Sequence, residues 1–312
     1  MMGATMTTLA VAVPTFKRPR SLARLLEGLA TIPVAFRVVV ADNDAEAAEG
    51  LAVAEACAAN GYPRPLEAMV VAERGIAQTR NALVAHVVAD ARLKFVAMID
   101  DDESPAAGWL EALLRTQAAT GAHVVGGPVR RRFEISVPRH LETANSYAPG
   151  RFRTGPIDFV DATSNVLFDV DVFRQSPPPW FDPFFALTGG EDKDFMMRLK
   201  LGGRTFAWAD DASVEETLPA TRCTTGWAVQ RAFSAGNSDM LVNLRRRPPG
   251  FNAVSETAKI AGAAALALFN LTLLGFDPAR RFDGLRLGAR ALGKIAAALG
   301  HRHFEYRTIH GA

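Results

Sequence analysis

The sequence predicts an α/β fold in which helices flank a central sheet. Two observations lead to this prediction. Short apolar runs alternate with helix-forming segments through the first 120 residues, which calls for parallel strands joined by helical crossovers. Polar or charged residues follow each of the first four apolar runs. Because the carboxyl ends of parallel strands lie along one edge of a sheet, these polar residues are expected at one ligand-binding edge.

The first strand is predicted at residues 9–13, where Leu-Ala-Val-Ala-Val forms a short apolar run. Pro14 ends this strand before a loop that carries Thr15. A helix is predicted next, with Ser21 as its N-cap and with leucines at helical spacing after it.

The second strand is predicted at residues 36–41 and is followed by Asp42. Aspartate before asparagine is also ordinary turn chemistry, so Asp42 could serve either a ligand or the turn itself. The third strand is predicted at residues 66–71, before Arg74, and Arg80 lies on the helix predicted after it. The alternative for Arg80 is a position on a solvated helix face.

The fourth strand is predicted at residues 95–99 and runs directly into four acids, Asp-Asp-Asp-Glu at residues 100–103. Like charges this close repel one another, so a divalent cation is the expected partner, because Mg²⁺ and Mn²⁺ prefer hard oxygen ligands. The alternative is structural, with Ser104 as the N-cap and Pro105 as the first residue of a helix whose dipole favours nearby acids. Capping accounts for one or two of these acids but hardly for four.

From residue 123 the pattern becomes irregular. A strand is predicted at residues 124–129 and a second strand-like pattern at residues 158–168, and the polar loop between them, residues 136–154, is expected to cover the site. Gly-Glu-Asp-Lys-Asp at residues 190–194 then begins a predicted helix. The structural alternative for these acids is a favourable interaction with the dipole of that helix.

Composition argues against several classes of protein. Thirty-five Lys and Arg against 33 Asp and Glu give a net charge of +2, which does not predict a nucleic-acid-binding protein. Cys57 and Cys223 are too few for a disulfide framework and fit a reducing cytoplasm. The first strand is followed by neither G-x-G-x-x-G nor a P-loop, so those folds would lack their phosphate cradle. The N-terminus does not read as a signal peptide, so a cytosolic location is expected.

Six short motifs lie at the predicted strand ends and helix starts: Val-Ala-Val-Pro-Thr at 11–15, Val-Val-Ala-Asp-Asn at 39–43, Arg-Gly-Ile-Ala-Gln-Thr-Arg-Asn at 74–81, Ile-Asp-Asp-Asp-Glu at 99–103, Ser-Asn-Val-Leu-Phe at 164–168 and Gly-Glu-Asp-Lys-Asp-Phe at 190–195. Each motif is weak alone, but their order and spacing resemble the inverting glycosyltransferases of family 2. That family has the GT-A fold, a Rossmann-like mixed sheet flanked by helices. More narrowly, the arrangement is similar to bacterial exopolysaccharide glucosyltransferases of the succinoglycan type.

The resemblance implies a nucleotide-sugar donor, with UDP as the expected nucleotide, bound together with Mn²⁺ or Mg²⁺. Asp42 would accept a hydrogen bond from the base, and Asp102 would hold the metal against the diphosphate, with Asp100 on the ribose or the metal. Glu216 is a candidate third metal ligand, with a solvated surface acid as the alternative. Asn165 could equally be a buried turn amide. The implied donor-binding residues are Pro14, Thr15, Asp42, Arg74, Arg80, Asp100, Asp101, Asp102, Asn165 and Arg231.

The resemblance assigns catalysis to Asp192, with Glu191 as the reserve. The acceptor hydroxyl must lose its proton as it attacks the anomeric carbon, and a carboxylate within about 3 Å can take that proton as general base. A single displacement of this kind inverts the anomeric configuration. Trp227 and Arg231 lie one helical turn apart, so Trp227 could stack on an acceptor sugar and Arg231 could reach the diphosphate. Ordinary helix packing is the alternative for both.

The C-terminal region is predicted to be helical. Residues 260–276 carry no charge but fall short of a membrane span, so a buried or interfacial helix is expected there. Basic and apolar residues then alternate at near-helical spacing, a pattern that suits an anionic membrane surface, and a solvated helix docked on the core is the alternative. The basic set is Arg281, Arg286, Arg290 and Lys294, and the apolar set is Leu285, Ala289, Leu292, Ala296 and Leu299.

The sequence therefore predicts a catalytic domain at residues 1–245, with a nucleotide-sugar-binding half (1–122) and an acceptor-side half (123–245), and a helical extension at 246–312. The predicted activity is metal-dependent transfer of a hexose, glucose from UDP-glucose, to a lipid-linked or oligosaccharide acceptor in cell-surface polysaccharide synthesis. The protein would work in the cytoplasm, in peripheral contact with the inner membrane and without a nucleic-acid partner. The alternatives are a sugar nucleotidyltransferase and a non-catalytic nucleotide-sugar-binding scaffold.

Overall fold

Helices flank both faces of a mixed β-sheet in the computed structural model, which describes residues 7–142 and 152–305. Within those ranges the strands are β1 (Leu9–Thr15), β2 (Arg37–Asp42), β3 (Leu66–Val70), β4 (Phe95–Met98), β5 (Glu103–Pro105), β6 (Val124–Gly126), β7 (Val129–Phe133), β8 (Gly155–Ile157), β9 (Val166–Asp169), β10 (Phe206–Trp208) and β11 (Val214–Leu218). The helices are α1 (Pro19–Ala30), α2 (Glu49–Ala59), α3 (Ile76–Ala89), α4 (Trp109–Thr120), α5 (Arg139–Glu142), α6 (Asp171–Arg174), α7 (Glu191–Leu201), α8 (Thr225–Arg246), α9 (Ala253–Thr272) and α10 (Pro278–Ala298).

The central sheet contains eight of the described strands, in the order β3-β2-β1-β4-β9-β6-β10-β8. In that order the first four strands, from β3 to β4, are parallel to one another. Strand β9 lies between β4 and β6 and is antiparallel to both. Thr15 at the end of β1 pairs with Asp42 at the end of β2. The carboxyl ends of these strands therefore meet at one edge, and the predicted α/β fold with a mixed sheet is confirmed.

The sheet continues across the predicted division at residues 122 and 123. Strand β9, from the second half, lies beside β4 from the first half, with Met98 paired to Val166. The division into a donor half and an acceptor half stays a prediction.

The core lies on both faces of the sheet, which explains why β1 is apolar throughout. Successive side chains of a strand point to opposite faces. Leu9, Val11 and Val13 pack on one face with helices α1 and α4, and Ala10 and Ala12 pack on the other with α3 and α7. An apolar run without alternation is typical of such a strand.

A second, three-stranded sheet in the order β5-β11-β7 lies beside the acid run. Glu216 on β11 pairs in register with Glu103 on β5 and with Arg131 on β7. Ser104 and Pro105 belong to β5, so the structural alternative in which they begin a helix is wrong. Pairing with β11 takes these residues into an extended conformation, and the helix begins only at Trp109.

Three further boundaries differ from the sequence-based prediction. Helix α1 begins at Pro19, so Ser21 is inside its first turn and is not its N-cap. The strand predicted at 124–129 is divided into β6 and β7, which belong to different sheets. The pattern predicted at 158–168 yields a strand only from Val166, because Asn165 has a left-handed backbone with φ of 53°. Residues 143–151 of the predicted covering loop lie outside the described residues.

The C-terminal helices form a layered extension, as predicted. Helix α8 packs against α7, α10 packs against α8, and α9 packs against α10. Helix α10 approaches α8 closely because Gly293 has no side chain, and a Cβ there would lie 2.1 Å from the main-chain oxygen of Phe233. Among the described residues, none of the helices combines the length and apolar character that crossing a bilayer requires.

The alternative of a helix docked on the core describes α10 better than a basic face turned to an anionic membrane. Arg286, Arg290 and Lys294 form ion pairs with acids of α10, α8 and α9, respectively. The leucines of the predicted apolar set are on the outside instead, with Leu292 60% and Leu299 82% exposed. Gly and Ala residues of α10 make its close helix contacts, so Leu285, Leu292 and Leu299 are left facing water.

Candidate active site

Arg80 lies at the centre of the residues that the sequence selects. It is buried on α3, its guanidinium is hydrogen-bonded to the Glu191 carboxylate, and it lies 3.5 Å from the Asp100 carboxylate. The alternative of a solvated helix face for Arg80 is therefore wrong. Its two contacts join the acid run after β4 to the first residue of α7, so that two distant motifs form one site.

A sharp turn before α7 aims the start of this helix at the sheet edge. Gly189 and Gly190 have φ values of 75° and 98°, a region that favours glycine. Glu191 is buried, whereas Asp192 is only half-buried and accepts a hydrogen bond from its neighbour's main chain, Lys193 N, at 2.7 Å. Of the two predicted catalytic acids, Asp192 is thus the one that a ligand can approach.

Both acids hold protons more strongly than usual. Burial raises the pKa of Glu191 to about 8, Asp192 adds to the increase, and Arg80 opposes it. Burial also raises the pKa of Asp192, again opposed by Arg80. A carboxylate with a raised pKa is a stronger base, and a general base works best when its pKa is near the operating pH. In the described structure Glu191 Oε2 is buried without a hydrogen-bond partner, so this carboxylate is incompletely satisfied.

Two acids of the run point into the protein and support the loop. Asp101 accepts a hydrogen bond from Thr15 Oγ1 at 2.7 Å and one from Arg18 at 3.1 Å. Glu103 accepts one from the main-chain nitrogen of Asp100 at 3.0 Å. Burial raises the pKa of Asp101 to about 7, and Arg18 opposes this increase. These contacts explain two of the four acids without a ligand.

The other two acids, Asp100 and Asp102, stay partly exposed at the rim. Asp102 accepts a hydrogen bond from Arg18 at 2.7 Å, and the guanidinium of Arg222 lies 3.6 Å away. Arg222 is also 3.5 Å from Glu216. The structure thus brings Glu216, the candidate third metal ligand, into the same charged cluster as Asp102, linked by an arginine.

The residues at this rim fit a divalent cation that arrives with a diphosphate. In the part of the chain that the structure describes, no three His, Cys, Asp or Glu side chains are grouped closely enough to hold a metal ion alone. Mg²⁺ is commonly bound by only one or two carboxylates together with substrate phosphates. Burial raises the pKa of Asp100, and Asp102 and Glu216 add to this against the opposing Arg80, so extra positive charge would be favourable here.

At the other end of the edge, Asp42 already has partners. Its side chain is fully buried, and its two oxygens accept hydrogen bonds from the main-chain nitrogens of Asp44 at 2.9 Å and Leu51 at 3.0 Å. These contacts match the alternative in which Asp42 stabilises the turn itself. Arg74 is exposed, with its guanidinium 4.9 Å from the centre of the Phe16 ring. Base recognition by Asp42 stays a prediction, and it would require the loops around Asp42 to open.

Asn165 joins three segments of the core. Its amide nitrogen donates to the main-chain oxygens of Pro128 at 3.1 Å and Ala212 at 2.7 Å, and its oxygen accepts from Trp109 Nε1 at 2.6 Å. Every contact is buried. Asn165 is therefore a buried turn amide, the alternative that the sequence left open. A contact between Asn165 and the sugar donor stays a prediction.

Trp227, the predicted acceptor residue, and Arg231, a predicted donor-binding residue, lie on the first two turns of α8. The Arg222 guanidinium is 6.0 Å from the centre of the Trp227 ring, which places Trp227 beside the Asp102 cluster. Arg231 is half exposed and forms an ion pair with Glu305 at 3.1 Å. Roles for Trp227 and Arg231 in ligand binding stay predictions.

Sequence reasoning assigned no role to Arg18 or Arg222, the two arginines that hold Asp102. Arg18 could have been found, since it follows β1 at the same edge as the acids. Arg222 could not, because Asp102 lies more than 100 positions earlier in the chain and only the fold brings the two together.

Comparisons with known proteins agree with this architecture. The family described as "Glycosyl transferase family 2" matches residues 10–176, more than half of the chain. The chain is 30% identical to the succinoglycan biosynthesis protein ExoM of Rhizobium meliloti (strain 1021), over 95% of this chain and 94% of that protein.

Two solved structures show the same fold at low identity. One is the mannosyltransferase PcManGT from Pyrobaculum calidifontis in complex with GDP-Man and Mn²⁺, with a TM-score of 0.60, 18% identity, and coverage of 92% of this chain and 87% of that one. The other is S. aureus TarS 1-349 in complex with UDP, with a TM-score of 0.52, 17% identity, and coverage of 95% and 92%. The predicted GT-A fold and the enzyme class are thereby confirmed, and the chain belongs to glycosyl transferase family 2.

Proposed function

We propose that this glycosyltransferase moves a hexose, glucose from UDP-glucose, to a hydroxyl of a lipid-linked saccharide, with inversion and with Mn²⁺ or Mg²⁺. The observation that supports the chemistry most directly is the Arg80 bridge, which places the rim acid Asp100 and the helix-start acid Glu191 in one site. The similarity to a succinoglycan biosynthesis protein supports a place in exopolysaccharide synthesis.

The donor side of the proposed reaction is the rim of Asp100 and Asp102. Arg80 and Arg222 supply positive charge on either side of it, which suits a diphosphate. A divalent ion held there by Asp102 and Asp100 would stabilise the charge on the departing diphosphate as a Lewis acid. The nucleotide itself is proposed from the solved relatives, in which TarS binds UDP and UDP-GlcNAc and PcManGT binds GDP-Man.

On the acceptor side, Asp192 is the proposed general base. It is accessible and lies next to Glu191 in the first turn of α7. Burial raises its pKa toward the working range of a general base. Glu191 is tied to Arg80 and has no exposed surface to offer, so we give it the role of orienting Arg80. Asp192 would take the proton of the acceptor hydroxyl as that oxygen attacks the anomeric carbon from the face opposite the diphosphate.

A lipid-linked acceptor would be met at the cytoplasmic face of the inner membrane, where we propose that the protein binds peripherally. Trp227 lies beside the Asp102 cluster and offers a ring on which an acceptor sugar could stack. The half-buried position of this ring at the start of α8 supports that role.

A thermal-shift panel of nucleotide sugars, each with and without Mn²⁺, tests the donor. Stabilisation grows with ligand concentration relative to Kd, so UDP-glucose with Mn²⁺ should raise Tm most. Asp102→Asn should remove the Mn²⁺-dependent part, whereas the exposed control Asp211→Asn should keep it. Proton NMR of the product tests the mechanism, because retention of the donor's anomeric configuration would contradict a single displacement. A metal-independent Tm shift would contradict the metal role.

A further inference from the structure

Helix α9 is the outermost layer of the C-terminal extension. It packs against α10 through a narrow stripe that includes Ala267 and Asn270. The approach is close because α10 has Gly284 there, and a Cβ on Gly284 would lie 3.0 Å from the main-chain oxygen of Ala267. Helix α10 lies between most of α9 and α8, and near the start of α9 Ile260 packs against the apolar cluster that includes Met240 of α8. Only one side of α9 is therefore covered by the described protein.

The uncovered side of α9 is apolar. Leu268 and Leu273 are each 63% exposed, and Phe276, in the turn before α10, is 85% exposed. We name this surface the α9 apolar face, and its members are Leu266, Leu268, Phe269, Leu273 and Phe276.

A helix that lies on a protein surface normally presents polar residues to water. From residue 260 to residue 276 this chain has no charged residue. Isolated apolar side chains on a surface are ordinary, but five large exposed ones between residues 266 and 276 are not, so the α9 apolar face indicates contact with another apolar body.

The charge of the surrounding region identifies the kind of partner. Residues 246–312 contain ten Lys and Arg against four Asp and Glu, a net charge of +6, whereas residues 1–245 contain 25 against 29, a net charge of −4. Arg280 and Arg281 lie on the first turn of α10, after Phe276 and Asp277; both are exposed, and among the described residues neither forms an ion pair. Positive charge is thus concentrated next to the apolar face.

A lipid bilayer with anionic headgroups matches both features. Its acyl boundary accepts leucine and phenylalanine side chains, and its headgroups attract nearby arginines, by about 1 kcal/mol for each. A second copy of the chain matches them less well. A two-fold interface puts the same patch on both subunits, so two regions of charge +6 would face each other.

We propose that the α9 apolar face docks in the plane of an anionic lipid bilayer, with Leu268, Leu273 and Phe276 inserted and Arg280 and Arg281 among the headgroups. The membrane surface is thus α9 and its turn rather than the basic face of α10, whose side chains are used in ion pairs within the protein. The purpose of such docking, access to a lipid-linked acceptor, rests on the proposed function. The docking itself does not depend on the reaction.

Co-sedimentation of the full chain with vesicles tests this proposal. Vesicles of phosphatidylcholine with phosphatidylglycerol should pellet the protein, and vesicles of phosphatidylcholine alone should pellet much less. The triple variant Leu268→Ser, Leu273→Ser, Phe276→Ser should lower the partition coefficient about tenfold or more, since each side chain loses apolar area from the membrane. Arg280→Gln with Arg281→Gln should lower it about fivefold for each charge, and only with the anionic vesicles.

A matched control replaces three other exposed apolar residues, Ile135→Ser, Leu201→Ser and Leu244→Ser, which are 46%, 47% and 41% exposed and lie outside α9 and α10. This control should pellet like the wild type. Donor stabilisation in the thermal-shift assay should be unchanged in the α9 variant, which shows that it folds. Asp192→Asn should pellet normally, so that a failure of the proposed reaction is distinguished from a failure of docking.

Two results would overturn the proposal. One is equal pelleting of the wild type, the α9 variant and the control. The other is a wild-type dimer by sedimentation velocity that the α9 variant converts to a monomer, with no pelleting by anionic vesicles, because the face would then bind a second copy.

Discussion

Arg80 and Glu191 are 111 positions apart in the chain and share a buried hydrogen bond. The bond fixes the start of α7 against α3, beside the rim acid Asp100. A charge taken out of water is costly unless it is paired, so each residue depends on the other. The pair therefore positions the proposed base, Asp192, relative to the proposed donor site.

Arg80→Ala should lower both stability and transfer. Removing one partner of a buried ion pair typically costs about 3–5 kcal/mol, and the raised pKa of Glu191 reduces this because the acid can take up a proton. Urea unfolding measures the loss. Adding Glu191→Gln should recover part of the stability but none of the transfer. The exposed control Arg92→Ala should change neither quantity. Full activity of Arg80→Ala would show that the bridge is dispensable.

Asp192→Asn should lower kcat by about 10²–10⁴-fold, because the amide cannot accept the acceptor's proton. Donor binding should persist, since the amide keeps the shape of the side chain. Glu191→Gln should have the smaller effect on kcat, because a glutamine oxygen can still accept the hydrogen bond from Arg80. Steady-state kinetics with saturating donor, combined with the thermal-shift assay, separates chemistry from binding. A larger loss of kcat in Glu191→Gln would reverse the assignment.

The free energy of unfolding of Asp101→Asn, relative to that of the wild type, should increase as pH rises. The pKa of Asp101 is raised to about 7 in the folded protein, above its unfolded value near 4, so its stabilising contribution is complete below pH 4 and is lost as pH rises through 7. The difference in free energy of unfolding between variant and wild type should move by up to about 4 kcal/mol between pH 4 and pH 8. Urea titrations across this range measure the difference. The exposed control Asp211→Asn should show no such trend, and a flat difference for Asp101→Asn would contradict the burial argument.

Asn165→Ala should destabilise the protein by about 3 kcal/mol or more. It leaves the Trp109 indole and two main-chain oxygens without their buried partner, and it puts alanine at a φ of 53°. The exposed Asn60→Ala is the control and should change the free energy of unfolding little. If Asn165→Ala is as stable as the wild type but binds donor poorly, Asn165 belongs to the donor site rather than to the core.

Local patterns were sufficient to place the strands and helices of the first 100 residues, though not the end of β1, which runs past Pro14, or the start of α1. The buried strand β1 is apolar at every position because both of its faces are covered, and this leaves a clear signal in the sequence. The pattern failed at Ser104 and Pro105, where local capping chemistry favours a helix but pairing with β11 imposes a strand. It failed again on α10, where the face that docks on the protein is made of Gly and Ala rather than of leucine.

By itself, the sequence determined the α/β class, the family and the residue types available for the chemistry, because strand and helix periodicity and the six motifs are local features. Only the tertiary structure decided which acids face a ligand. Asp101 and Glu103 turn inward while Asp100 and Asp102 stay at the rim, and Asp42 is enclosed by its own turn. It also decided that Arg80, Arg18 and Arg222 compensate these charges. The physical reason is that burial and pairing depend on segments far apart in the chain, which no local pattern records.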